Sequence, residues 1–341
     1  MNEIDQRAAS EIREAPDAVR WQAQLFAKPA ADLLARLRRR APDLVMTCAR
    51  GSSAHAATFG KHLIERHLGI PCASAAPNIA SVYHQPLRLK DQLFLAISQS
   101  GRSDDLIESA ALARTAGAVT VALVNDTNSP LATTCEFLLP IAAGVERSVT
   151  ATKTFVATLA ALLRLTAEWS IDAPLKAALE QLPDRLAAAA DLDWSRAADM
   201  LWQANSLATI GRGPTLAIAR EAALKFKEAC NLHAEAFSGA EFMHGPLSLV
   251  SDLYPVLMFM PGDEAGEGMR VLAADLRRKG AAVLVTEPGQ AGSLPTLPDD
   301  HAEADAACLI QTFYAFIVGL AQRRGTSVDQ PRHLRKVTRT Q

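Results

Sequence analysis

A short apolar run that ends at an Arg-Gly pair and opens into a long helical pattern occurs twice in this chain, about half its length apart. Leu44–Cys48 leads into Arg50–Gly51–Ser52–Ser53 and a helical stretch from about Ala54 to Leu68. Leu207–Ile210 leads into Gly211–Arg212–Gly213–Pro214 and a helical stretch from about Thr215 to Ala229. Strand, tight glycine turn and helix make an α/β unit. Its recurrence marks an internal duplication.

The rest of the chain extends the same theme. Gly69–Ser74, Gln92–Ser98, Ala118–Asn125 and Phe137–Pro140 read as further strands of the first half, with helices near 104–115 and 152–169. In the second half, Pro255–Met260 and Ala281–Thr286 read as strands, a helix runs up to Lys279, and Ala307–Gly319 reads as a long apolar helix. The strands are apolar without strict alternation, so both faces of each sheet must be covered, as in a mostly parallel α/β sheet. Residues 1–40 read as an N-terminal helical segment and residues 171–200 as a helical join. The expected division is 1–40, then a first α/β domain over 41–190 and a second over 191–341.

Composition removes several function classes. The chain has 341 residues and 49% hydrophobic content, enough for two ordinary cores. A formal net charge of -2 argues against a general nucleic-acid binder, which needs a basic face. A basic cluster near the C-terminus, Arg332, His333, Arg335, Lys336 and Arg339, also suits a small anion. Cys48, Cys72, Cys135, Cys230 and Cys308 are scattered, with no CxxC pair, so neither a zinc site nor a disulfide framework is indicated. Val156–Leu163 is broken by Arg164 and Glu168 before it reaches bilayer length, and Met1–Pro16 lacks the apolar stretch of a leader. The expectation is a cytoplasmic protein with no membrane partner.

Two loops of the first half are rich in hydroxyls and glycine: Gly51–Ser52–Ser53 and Ser98–Gln99–Ser100–Gly101–Arg102–Ser103. Each leaves the C-terminal end of a strand and enters a helix, where unpaired N–H groups favour an anion. Serine is also a common helix N-cap, and that reading competes with phosphate binding. The Gly-Lys-Ser/Thr ending of an NTP-binding loop is missing, as is the third glycine of a dinucleotide fingerprint.

A different pattern marks the second half. Glu221, Lys225 and Glu228 are spaced four and three apart, on one helical face. An exposed salt-bridged stripe would look the same. The stretch continues, however, through His233–Ala234–Glu235 and Gly239–Ala240–Glu241–Phe242–Met243–His244–Gly245–Pro246. His233, Glu235, Glu241 and His244 do not form an HExxH pair, so no metal is expected. Acid–base chemistry suits these residues better.

Taken together these segments resemble the sugar isomerase (SIS) superfamily, and most closely the isomerase half of the glutamine:fructose-6-phosphate amidotransferases. The resemblance rests on Gly51–Ser53, Ser98–Gly101, Ser148–Val149–Thr150–Ala151–Thr152–Lys153, Glu221–Glu228, His233–Glu235, Glu241–Pro246 and Asp329–Gln330–Pro331–Arg332–His333–Leu334–Arg335–Lys336. It implies two tandem SIS domains, each a mostly parallel sheet flanked by helices in a flavodoxin-like three-layer sandwich. It also implies a sugar-phosphate ligand, with phosphate on Ser53, Ser98, Gln99, Ser100 and Ser103 and sugar contacts at Val149, Ala151 and Thr152. Ser103 and Ala151 replace the family's threonine and serine, and Arg102, where the synthases carry an acidic residue, is expected to add positive charge beside the phosphate.

The resemblance assigns Glu228 as the base moving a proton between C1 and C2, with Glu221 and Lys225 beside it. It assigns His244 to ring opening, from the partner subunit of a homodimer with a shared site, and Lys336 to the C2 region. Residue 2 is Asn2, not the nucleophilic cysteine of a glutaminase domain. The implied activity is therefore that of the stand-alone SIS-type glucosamine-6-phosphate deaminases, giving fructose 6-phosphate and ammonia. No cofactor is expected, because the substrate's own carbonyl acidifies the proton that moves. Another amino-sugar-phosphate deaminase, a sugar-phosphate isomerase, a deglycase and a non-catalytic sugar-phosphate sensor remain alternatives.

Overall fold

The computed structural model describes residues 6–336. Helix α1 (Gln6–Arg39) runs through Pro16 and Pro29. It is followed by β1 (Val45–Ala49), α2 (Gly51–Leu68), β2 (Cys72–Ser74), α3 (Asn78–Ser81), β3 (Leu93–Ser98), α4 (Asp104–Thr115), β4 (Val119–Val124), α5 (Pro130–Thr134), β5 (Phe137–Pro140) and α6 (Lys153–Ser170). Then come α7 (Ala173–Ala189), α8 (Ser195–Leu201), β6 (Ser206–Gly211), α9 (Thr215–Cys230), β7 (His233–Ser238), α10 (Gly239–Phe242), β8 (Pro255–Phe259), α11 (Gly266–Arg278), β9 (Ala282–Thr286) and α12 (Ala302–Arg323).

The chain divides into two compact units. One holds Asp17–Glu146 and Lys153–Leu179; the other holds the described residues up to Pro16, Arg147–Thr152 and Glu180–Lys336. The first contains a five-stranded parallel sheet in the order β2-β1-β3-β4-β5, the second a four-stranded parallel sheet in the order β7-β6-β8-β9. Apart from the last strand, reduced in the second sheet to a single parallel bridge between Thr286 and Leu294, the two orders are the same, as the duplication predicts. In both copies an Arg-Gly step joins the first strand to its helix, with Gly51 at φ +54° and Gly213 at φ +57°.

Burial explains the sheet type. Every residue of β3 and β4 is buried, so these strands carry apolar side chains on both faces and need helices on each. Gly60 of α2 leaves room for Leu162 of α6: an added Cβ there would sit 3.2 Å from its Cδ2. Helix α12 is the one helix among the described residues long and apolar enough to cross a bilayer, and 78% of its apolar window is buried inside the fold. It is the core helix of the second unit, where Phe313 and Phe316 meet Phe226 of α9.

The structure also amends the reading of the sequence. His233–Ser238, which the sequence offered only as a continuation of the charged stretch after α9, is an edge strand, β7. His233 and Glu235 are exposed and Ala234 between them is buried, the alternation of a strand with one open face, but it runs over too few residues to stand out in the sequence. Gly69–Cys72 is not all strand, because Gly69 at φ +66° caps α2.

Candidate active site

In the first unit the chain leaves β1 toward β2 on one side and β3 toward β4 and β5 on the other. The C-terminal ends of β1 and β3 are neighbours, with Ala49 paired to Ile97. Open α/β sheets bind ligands in the crevice at such a switch point. Arg50–Ser53 and Ser98–Ser103 both emerge there.

The second loop is tightly built. Ser98 Oγ accepts from the Gly101 N–H at 3.0 Å, and Ser100 Oγ accepts from the Arg102 N–H at 3.3 Å. Gly101 sits at φ +61°, and a Cβ there would lie 2.0 Å from Ser129 Oγ, so only glycine fits. Ser103 occupies the N-cap position of α4 but its side chain makes no capping bond, and Arg50, at the N-cap of α2, makes none either. The capping alternative for Ser103 therefore fails, and its half-buried hydroxyl remains available to a ligand. Arg50 is held by the buried Asp105 at 2.7 Å. Arg102 does not add free charge to the loop: its guanidinium pairs with Asp126 at 2.8 Å.

The second unit holds the charged array on α9. Lys225 lies between Glu221 at 3.2 Å and Glu228 at 2.7 Å. Side-chain exposure is 0% for Glu221, 1% for Lys225 and 22% for Glu228. The surface-stripe alternative fails on these numbers. Burial opposes the charge on Lys225, but the two carboxylates outweigh it and raise its pKa, so the lysine is an ammonium throughout the physiological range. Tyr314 on α12 donates from its hydroxyl to Glu221 at 3.0 Å. Glu228 faces a cleft of about 920 Å³ at the C-terminal ends of α9 and α12, lined also by Asn231, Ser327 and Arg332.

A third group assembles in the same unit. Ser148 Oγ donates to Asp329 at 3.0 Å, and Lys336 Nζ donates to the Ser148 carbonyl at 2.6 Å. The motifs 148–153 and 329–336, far apart in sequence, thus meet. Of the expected sugar-contacting residues, Thr152 is fully buried and Val149 and Ala151 are half-buried. The neighbouring Thr150 hydroxyl is buried without a hydrogen bond among the described residues. His244 is exposed on the turn after α10 and does not line the cleft that Glu228 faces.

The structure therefore brings Glu221, Lys225 and Glu228 together, joins Lys336 to the 148–152 loop, and gathers Ser98–Ser103 beside Ser53. It leaves His244 apart from the Glu228 cleft within its chain. Tyr314, Glu11 and Asp329 escaped individual notice in the sequence. Tyr314 gave one usable signal, since a tyrosine inside an apolar helix needs a buried acceptor. No group of three or more metal-ligating side chains occurs among the described residues.

The SIS domain model matches residues 42–167 and 200–296. A glutamine–fructose-6-phosphate aminotransferase (isomerizing) of Pseudomonas syringae is 32% identical over 335 residues, which is 91% of this chain and 53% of that protein. The chain thus spans about half the length of this relative. A solved chain from Silicibacter pomeroyi, assigned as a phosphosugar isomerase, is 44% identical, with a TM-score of 0.90 over 95% of this chain and 99% of its own. A glucosamine-6-phosphate deaminase from Thermotoga maritima shares the fold, with a TM-score of 0.76 and 21% identity over 97% of this chain and 99% of its own.

Proposed function

The chain belongs to the SIS domain family and is of the sugar-phosphate isomerase type, and on that premise we propose that it converts glucosamine 6-phosphate to fructose 6-phosphate and ammonia. The observation that carries this reading is the α9 array. A buried ammonium holds one oxygen of a partly exposed carboxylate, Glu228, at the edge of a cleft. A carboxylate oriented in this way suits a base that takes a proton from carbon.

The proposed reaction begins with the phosphate held by Ser53, Ser98, Gln99, Ser100, Ser103 and the N–H groups of their loops. This remote anchor orients the sugar without touching the reacting carbons. His244, supplied by a second copy in a homodimer, moves a proton between O1 and O5 as the ring opens. Glu228 then takes the C2 proton, the electron pair forms the C1–C2 double bond, and the aldehyde oxygen gains a proton. The enolamine collapses as Glu228 returns its proton to C1, leaving a ketimine at C2. Water adds to the ketimine carbon, nitrogen departs as ammonia, and the C2 ketone remains. Developing charge at O1 is offset by Lys336, while Val149, Ala151 and Thr152 hold the hydroxyls of the open chain. Electrons balance without a redox partner.

Purified protein incubated with glucosamine 6-phosphate should release ammonia and fructose 6-phosphate in equal amounts. Sugar-phosphate interconversion without ammonia would replace the deaminase reading by a plain aldose–ketose isomerase. Tight binding with no product of either kind would make the protein a sensor.

A further inference from the structure

We propose that Asp329 and Glu11 are positioning residues that fix the 148–152 loop and Lys336 as one piece. Every polar atom of Ser148 is spent on this framework. Its N–H donates to Glu11 at 3.2 Å, its hydroxyl to Asp329 at 3.0 Å, and its carbonyl accepts from Lys336 at 2.6 Å. Ser148 is 1% exposed. Its hydroxyl is therefore a structural fastening and not a donor to the sugar.

The two carboxylates reach this loop from opposite ends of the chain. Glu11, on α1, also accepts from the Arg147 N–H. Asp329 accepts from Ala8 N–H at 2.9 Å and Arg7 N–H at 3.3 Å, in the first described turn of α1. Its own carbonyl accepts from Val149 N–H at 3.3 Å. Both carboxyl groups are buried, at 5% and 7% exposure. Burial of a carboxylate is tolerated when several N–H and O–H groups point at it, and here those donors belong to the helix start and the loop. Asp329 thus touches loop and α1 at once, while the side chain of Lys336 donates to the loop carbonyl.

This inference rests on the reading that the 148–152 loop and Lys336 belong to the active site, but its first test does not. In Asp329→Asn and Glu11→Gln, amide hydrogen exchange of peptides spanning 147–152 and 327–336 should accelerate together, at least tenfold, with peptides from β3 and β4 unchanged. Acceleration of only one of the two segments, or of neither, would overturn the proposal. Ser148→Ala, which removes a single hydroxyl, serves if the charge-neutralised variants do not fold, and should show a smaller joint acceleration. In catalysis, Asp329→Asn should lower kcat/KM for glucosamine 6-phosphate at least tenfold, and adding Ser148→Ala should cost less than a further twofold. Fully multiplied losses would mean that Asp329 does not act through Ser148. If the wild-type protein releases no product, the functional reading has failed and the exchange result alone decides the fastening.

Discussion

Lys225 donates to Glu228 Oε2 at 2.7 Å within a single turn of α9, while its other flank is closed by Glu221 at 3.2 Å. One carboxylate is sealed in the core by Tyr314 and the other looks into a cleft. The asymmetry gives two chemically identical residues different work. Both carboxylates hold the lysine charged, but only Glu228 also borders the cleft.

Replacing that outer carboxylate is the direct check. Glu228→Gln keeps shape and hydrogen bonding but cannot accept a proton. Turnover of glucosamine 6-phosphate should fall about 10³-fold with KM changed little. Incorporation of solvent deuterium at C1 should disappear in the same variant, as read by mass spectrometry of the sugar product. Undiminished incorporation would remove Glu228 from the role of base.

The lysine should matter for stability as well. Lys225→Met leaves Glu221 buried without its cation, a change that typically costs about 3–5 kcal/mol. The folded pKa of Lys225 is raised above its ordinary value of 10.5, so its contribution is fully present below pH 10.5 and is lost only as pH climbs past that value toward the folded pKa. The gap in melting temperature between wild type and the double variant Glu221→Gln/Lys225→Met, which removes both buried charges, should therefore be constant from pH 7 to 9 by calorimetry. A gap that closes across that range would show that Lys225 titrates there.

Glycine 101 is the steric keystone of the first-unit loop. Gly101→Ala must place a methyl group at φ +61° and 2.0 Å from Ser129 Oγ, and the left-handed backbone alone costs roughly 1–2 kcal/mol. Affinity for fructose 6-phosphate, measured by calorimetry, should drop at least tenfold. Gly144→Ala is the matched control, because Gly144 shares a positive φ of 69° with open space around its missing Cβ. Equal losses in the two variants would take the phosphate away from this loop.

All five cysteines are buried and reduced. Burial pushes the thiols of Cys48 and Cys72 up to about 11, and those of Cys135, Cys230 and Cys308 up to about 12. The thiolate is the reactive form. An aromatic disulfide reagent at pH 8 should leave the native protein essentially unlabelled and titrate five thiols after denaturation. Rapid labelling of one native thiol would mark a cysteine whose surroundings open in solution.

The amino-acid sequence by itself determined whatever depends on neighbours along the chain. The apolar runs at 44–48, 92–98 and 118–125 specify strands, Gly51 and Gly101 mark turns of positive φ, and the four-and-three spacing puts Glu221, Lys225 and Glu228 on one helical face. These features are local, because helix and strand periods and glycine's conformational range act within a few residues. Whether the α9 array was surface or core was not local. It was decided by the packing of α12, whose Tyr314 buries Glu221. The same holds for Arg102, paired with Asp126 across the C-terminal ends of the neighbouring strands β3 and β4, and for Ser148, fastened by residues near both ends of the chain. Burial and long-range hydrogen bonding depend on which elements end up side by side, and a one-dimensional pattern carries that information only through the energy of the whole fold.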